Sequence, residues 1–239
     1  MAAESAVYDT AKFVSGSDVH SSGATYLTHD VKLDLDLAAQ KYLADKLSEC
    51  GSFPVVGEED FSLPLPSKPY WLIDPIDGSF NYLAGIRYAA VSAALVGEDC
   101  ALIGVIGDIY SDDLISARVA GGVRLNGRRL QRVETSARGE GLVLTAVTPS
   151  VHKNPDGLRH LFEAIRPYRK IRMLGSASMS LSLLSRGVCE AVVLSGIHAW
   201  DVMAGCVIAR EAGCQVDWKI TDETCLLGEL LAKRPLAIK

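Results

Sequence analysis

Asp74 and Asp77 stand three residues apart within the run Trp71-Leu72-Ile73-Asp74-Pro75-Ile76-Asp77-Gly78-Ser79-Phe80-Asn81-Tyr82. Apolar residues leading into two carboxylates, a glycine and a hydroxyl describe a buried strand that stops in a polar turn. Two carboxylates cannot share a core without a compensating charge, because an unpaired buried one costs several kcal/mol. A divalent cation is the simplest such charge. Pro75 has no N–H and a fixed φ, so the strand ladder is expected to stop there. Gly78 lets the backbone approach a ligand closely. The free N–H groups of a helix opening at Gly78-Ser79 suit phosphate, and the Ser79 hydroxyl suits a water. The same residues also read as an Asp-Pro turn followed by a capped helix, with no metal at all.

A second acid, Asp201, lies in His198-Ala199-Trp200-Asp201-Val202-Met203-Ala204-Gly205, directly before a helix that closes at Glu211-Ala212-Gly213. An N-cap would account for it, but a side chain pinned at a helix start is also rigid enough to hold an ion. Glu58 follows the short strand Pro54-Val55-Val56-Gly57 and opens Glu58-Glu59-Asp60, which alone reads as a solvated acidic loop. Asp30 precedes a helix that it could simply cap. The conjunction carries more weight than any member: acids that each fall just past a strand or at a helix start, beside a Gly-Ser cradle. Oxygen ligands in this number suit Mg²⁺.

The elements that must position these residues follow from apolar spacing. Leu33, Leu35, Leu37, Ala38, Tyr42, Leu43 and Leu47 recur near helical period, ending at Cys50-Gly51. Upstream, a short helix or strand is expected near Ala6 to Val14, followed by a loop. Tyr88 to Val96, Ala101 to Ile109 and Leu114 to Val119 are apolar runs split by short turns, the pattern of an antiparallel meander. Asn126-Gly127 reads as a hairpin turn. From Leu142 the pattern alternates: strands at Leu142–Val147, Lys170–Leu174 and Glu190–Leu194, and helices at Leu158–Ile165, Ser178–Leu184 and Val202–Ala212. Such alternation implies parallel pairing. The expected fold is α/β (α+β), a layered αβαβα sandwich with an antiparallel-rich N-terminal sheet and a smaller mixed C-terminal sheet. We expect one domain over residues 1–239, with sub-domains at about 1–140 and 141–239 and the acids between them.

With 239 residues, 49% of them hydrophobic and 22% charged, the chain can bury a large core. A net charge of −5 gives no general attraction for a nucleic acid polymer, so an anionic substrate needs local positive charge, which a bound metal supplies. Six scattered cysteines without a CxxC motif point to reduced thiols in a cytoplasmic setting. No leader or membrane-spanning run is evident.

Gly57-Glu58-Glu59, Asp74-Pro75-Ile76-Asp77-Gly78-Ser79-Phe80-Asn81-Tyr82 and Trp200-Asp201-Val202-Met203-Ala204-Gly205 with Glu211-Ala212-Gly213 closely resemble the inositol monophosphatase family of Mg²⁺-dependent, lithium-sensitive phosphatases. Leu27-Thr28-His29-Asp30 is similar to that family's Thr-x-Asp element, and the resemblance spans roughly residues 27–215. It implies that Glu58, Asp74 and the Ile76 carbonyl hold a first ion. Asp74, Asp77 and Asp201 would hold a second, and a weaker third would lie near Glu58. Ser79 stands where the family usually has Thr and would orient the attacking water with Asp30, while the Gly78 and Ser79 amides bind phosphate. Gly175-Ser176-Ala177-Ser178 matches the substrate-side loop. Leu194 occupies the position of a glutamate that grips ring hydroxyls in the inositol-binding enzymes, and it cannot accept such a bond. A homodimer is also implied. The expected function is hydrolysis of a small polar phosphate ester: an inositol monophosphate, a sugar phosphate or a nucleotide 3′-phosphate. The alternatives are a histidinol-phosphate or fructose-bisphosphate phosphatase, and a regulatory or binding protein on a phosphatase scaffold.

Overall fold

A computed structural model of the chain describes residues 2–17, 24–26, 31–49, 51–134 and 141–235. Helix α1 (Ala2–Ser15) buries Ala3, Ala6, Val7, Thr10, Ala11 and Val14, a stripe at helical spacing. It therefore extends beyond the short element expected there. Strands β1 (Ala24–Tyr26) and β2 (Val31–Leu33) pair antiparallel, the first where a loop was expected and the second taking Leu33 out of the expected helix, and α2 (Asp34–Ser48) follows. Next come β3 (Val55–Gly57), β4 (Tyr70–Asp77), α3 (Ser79–Leu83), β5 (Ala90–Val96), β6 (Ala101–Asp108), β7 (Leu114–Arg118), β8 (Gly122–Leu125) and β9 (Arg128–Arg129). Strands β3 to β9 form one seven-stranded sheet in sequence order. The β3–β4 pair is parallel and every later pair antiparallel, as the short turns between the runs require.

The second half contributes β10 (Leu142–Val147), α4 (Pro149–His152), α5 (Pro155–Ile165), β11 (Lys170–Arg172), α6 (Ala177–Ser185), β12 (Ala191–His198), α7 (Ala199–Glu211), β13 (Gln215–Asp222) and β14 (Leu227–Lys233). Its five strands run in the order β11-β10-β12-β14-β13. β10 pairs parallel with both β11 and β12, each reached through a helical crossover. The β13–β14 hairpin adds an antiparallel flank that the sequence did not announce. Its outer strand carries Gln215, Asp217 and Lys219 at exposed positions, which hides the apolar signal of an edge strand.

Five layers result. Helices α1 and α2 pack on one face of the large sheet through Val7, Val14, Leu43 and Leu47 against Trp71, Ile73, Val91 and Val105. The opposite face meets α7 through Val207, Ile208 and Ala212. The small sheet covers the other side of α6 and α7, where Leu181, Leu184 and Cys206 meet Leu144, Val192 and Leu230. Its outer face is closed by α4 and α5 through Val151, Leu161 and Ile165. The α6–α7 layer is thus shared, and whatever sits at its N-terminal ends lies at the seam of both sheets.

That seam is tight. A Cβ on Gly104 of β6 would come within 2.3 Å of the Ala204 carbonyl oxygen in α7, so only glycine allows this separation. Gly104→Val should therefore lower unfolding stability by about 2–3 kcal/mol, measured as a shift in urea midpoint at constant slope.

Candidate metal centre

Strand β4 is buried along its whole length and ends at the acids. Contrary to the expectation that Pro75 stops the ladder, the strand continues to Asp77 across an irregularity. Asp74 faces Ser92 and Asp77 faces Ala90, so three steps on β4 match two on β5. One extra residue is accommodated there, beside a proline that has no N–H to give the ladder. The bulge matters chemically. Side chains alternate along a regular strand, so residues three apart would face opposite sides; one inserted residue restores both carboxylates to the same side. The Ile76 N–H donates to Asp74 Oδ1 at 3.0 Å, which fixes that side chain at the bulge, while the Ile76 side chain stays in the core.

Glu58 arrives from the neighbouring strand. Its N–H donates to the Ile73 carbonyl at 3.3 Å, carrying the β3–β4 pairing one step further. The loop is held from α2 by Gln40, whose Oε1 accepts from the Glu59 N–H at 3.0 Å and whose Nε2 donates to Asp60 Oδ1 at 2.7 Å. A Cβ on Gly57 would fall 2.1 Å from the Gln40 side chain and would push its amide off these bonds. Gln40 escaped the sequence reading. Its signal was a polar residue in the buried stripe of Ala39, Leu43 and Leu47.

Asp201 arrives from α7, but not as its cap. His198 is the N-cap and Asp201 lies within the first turn, where its Oδ2 accepts from the His198 N–H at 3.1 Å. The His198 ring stacks on Trp200 with centroids 4.4 Å apart, and His198 Nδ1 lies 2.9 Å from the Cys225 carbonyl. The start of the helix is thereby fixed.

These three arms converge. Oxygens of Glu58, Asp74 and Asp201 lie within 4.8 Å of one another, on one buried and two half-buried side chains. Burial, and then the charges of Glu58, Asp77 and Asp201, push the Asp74 carboxyl well above its ordinary value of 3.8. An oxygen-only donor set under this much repulsion fits a hard divalent ion.

Asp77 is placed differently. It is 7% exposed and does not join the group of mutually close oxygens. Its Oδ2 accepts from Ser176 Oγ at 2.6 Å, the Ser178 N–H at 2.7 Å and Ser178 Oγ, and its Oδ1 accepts from the Ala177 N–H at 3.2 Å. Burial raises its carboxyl, and these donors oppose the rise. Ser176 also caps α6 by accepting from the Met179 N–H. The sequence places Ser178 in the substrate-side loop and at the start of a helix, and gives it no role of its own.

Gly78 has φ +94° and opens the five-residue helix α3 at Ser79, whose side chain is half-buried. Asn81 binds the site loops together, donating from Nδ2 to the Tyr88 and Leu174 carbonyls at 2.9 and 2.7 Å. Leu194 does not line the site. At 2% exposure it packs in the core with α6 and α7, so the expected ligand contact at this position has no surface to make it. Strand alternation turns it toward the helical layer, opposite to Val193. Asp30 lies outside the described residues. No helix among the described residues is long and apolar enough to cross a membrane.

Comparison with known proteins gives one consistent answer. The profile of the inositol monophosphatase family matches residues 8–235. Inositol monophosphatase 1 of Bos taurus is 29% identical over 77% of this chain and 69% of its own length. Nus factor SuhB of Pasteurella multocida is 29% identical over 89% of this chain and 81% of its own. Among solved structures, the extragenic suppressor protein suhB of Bartonella henselae superposes with TM-score 0.81 at 25% identity, covering 96% of this chain and 91% of that one.

The repulsion at Asp74 has a measurable sign. A carboxyl whose folded pKa is raised contributes stability below its unfolded pKa, near 4, and loses it as pH rises toward the folded value. In EDTA at pH 7.5, Asp74→Asn should therefore be more stable than wild type by about 1–2 kcal/mol. The gain should vanish below about pH 4, and denaturant titrations across pH read it directly. No gain at pH 7.5 would contradict the repulsion.

Proposed function

The chain belongs to the inositol monophosphatase family and is a phosphoric monoester hydrolase, and from that premise we propose that it hydrolyses a small polar phosphate ester with Mg²⁺ as cofactor. An inositol monophosphate, a sugar phosphate or a nucleotide 3′-phosphate fits this description. The observation that carries the reading is the convergence of Glu58, Asp74 and Asp201 from two strands of one sheet and a helix shared with the other.

In this reading Glu58, Asp74 and the Ile76 carbonyl hold one ion, Asp74, Asp77 and Asp201 a second, and Glu58 a weaker third. Bound there, Mg²⁺ would lower the pKa of the attacking water and neutralise charge on the phosphate and the leaving oxygen. The chain supplies position. Ser79, with Asp30, orients the water, and the Gly78 and Ser79 amides receive phosphate oxygens. Ser176 and Ala177, one residue past Gly175, border the leaving-group side and hold Asp77 in place. Rate enhancement then comes from fixed dipoles and orientation and not from covalent chemistry on the protein.

We extend the proposal to a homodimer in a cytoplasmic, reducing setting, which suits the free thiols of Cys100, Cys189, Cys206, Cys214 and Cys225. A second reading, a regulatory binding protein, is favoured by the relative named as a Nus factor. A partner that stays bound when Asp74 is neutralised would support it.

Phosphate release from a panel of monoesters should require Mg²⁺ and stop in EDTA. Asp74→Asn and Asp201→Asn should each lower kcat/KM by at least about 10³-fold, and Ser79→Ala by about 10–100-fold. Undiminished turnover in EDTA would refute the metal-dependent reading.

A further inference from the structure

The oxygens of Asp77 are already crowded by protein donors. A carboxylate offers about four lone-pair positions, two on each oxygen. Oδ2 accepts from the Ser176 hydroxyl, the Ser178 amide and the Ser178 hydroxyl, so it is filled. Oδ1 accepts only the Ala177 amide, at the longer distance of 3.2 Å. All four donors come from the N-cap Ser176 and the first two residues of the nine-residue helix α6, whose N-terminal dipole adds positive potential. Asp77 therefore gives most of its charge to α6, and this agrees with its place outside the close oxygen group of Glu58, Asp74 and Asp201.

We propose that Ser178 is a positioning residue that sets how strongly Asp77 serves a second divalent ion: its hydroxyl saturates Oδ2, leaves Oδ1 as the available oxygen, and weakens the second site relative to the first. The inference rests on the metal-dependent reading of the site. The two donors contributed by Ser178 do different work. Its amide is part of the α6 backbone and is present whatever the side chain, whereas its hydroxyl is an addition that this residue type brings. Ser178 is fully buried, so water cannot replace that hydroxyl on Asp77. With the hydroxyl removed, Ser176 and two amides still orient the carboxylate, but more of its negative charge is available to a cation. The sign is thus opposite to that expected of a damaged ligand set: loss of a side chain next to the site should tighten ion binding.

The test is titration of the full chain with Mn²⁺, following free ion by electron paramagnetic resonance. Wild type should show a tighter and a weaker class of site. Ser178→Ala should tighten the weaker class by about fivefold, roughly the worth of one hydrogen bond, and leave the tighter class within about twofold. Ser178→Cys fills the same space with a poorer donor and should fall between the two, which guards against a folding defect in the alanine variant. A weaker class unchanged or loosened in both variants overturns the role of Ser178 while leaving the metal centre intact. A single class in wild type also overturns it, since Asp77 would then have no second ion to serve. If wild type binds no Mn²⁺, the metal-dependent reading falls as well.

Discussion

Like charges forced together out of water govern this molecule. Three carboxylates with oxygens within 4.8 Å of one another, one of them 1% exposed, form an arrangement that a folded chain would shed unless other parts held it in place. Each acid is accordingly fastened by backbone. Asp74 accepts from the amide two residues on, Asp201 from the amide three residues back, and the Glu58 amide is tied to β4. None depends on a flexible surface loop for its position. The repulsion that makes this cluster costly is the same force that would give a divalent ion its affinity there.

The layered architecture makes this fastening possible. A metal strand at the end of one sheet and a helix sandwiched between both sheets can meet only where β4 stops and α7 starts. The glycine contacts at that seam, Gly104 against Ala204 and Gly205 against Leu181, set how closely the helix approaches. The bulge at Pro75-Ile76 supplies the remaining correction by offsetting the alternation of the strand. Sheet register, helix depth and one inserted residue together fix where the carboxylates sit.

The metal side was legible in sequence because its acids lie at punctuation marks: a strand end, a Pro-Ile pair and a helix start. The αβαβα layering was readable for a related reason, since the meander and the alternating half carry different periodicities. Other features left weaker traces. The β13–β14 hairpin has an outer strand rich in charge, so alternation gave no apolar face to find. Asp201 read as an N-cap because sequence spacing cannot tell a cap from the third residue of the first turn; only the dihedrals of His198 decide. Leu194 looked like a ligand position because motif spacing reports how far a residue is from the acids, but not which face of β12 it occupies. Gln40 and Ser178 act through residues distant in sequence; Gln40 left only the trace of a polar residue in a buried stripe, and no local pattern marks the contact of Ser178 with Asp77.

The two sides of the site are therefore built on different terms. At the acid centre the carboxylates of Asp74 and Asp201 accept from main-chain N–H groups, and a change of either side chain would leave an amide without its partner. On the side of the loop before α6, Leu194 is an aliphatic residue packed inside the core, and the hydroxyls of Ser176 and Ser178 are engaged with Asp77. Among the described residues, these two serine hydroxyls are thus already committed to a carboxylate and are not free to answer the hydroxyls of a leaving group. Bound hydroxyls of the leaving group are worth little unless buried protein partners answer them.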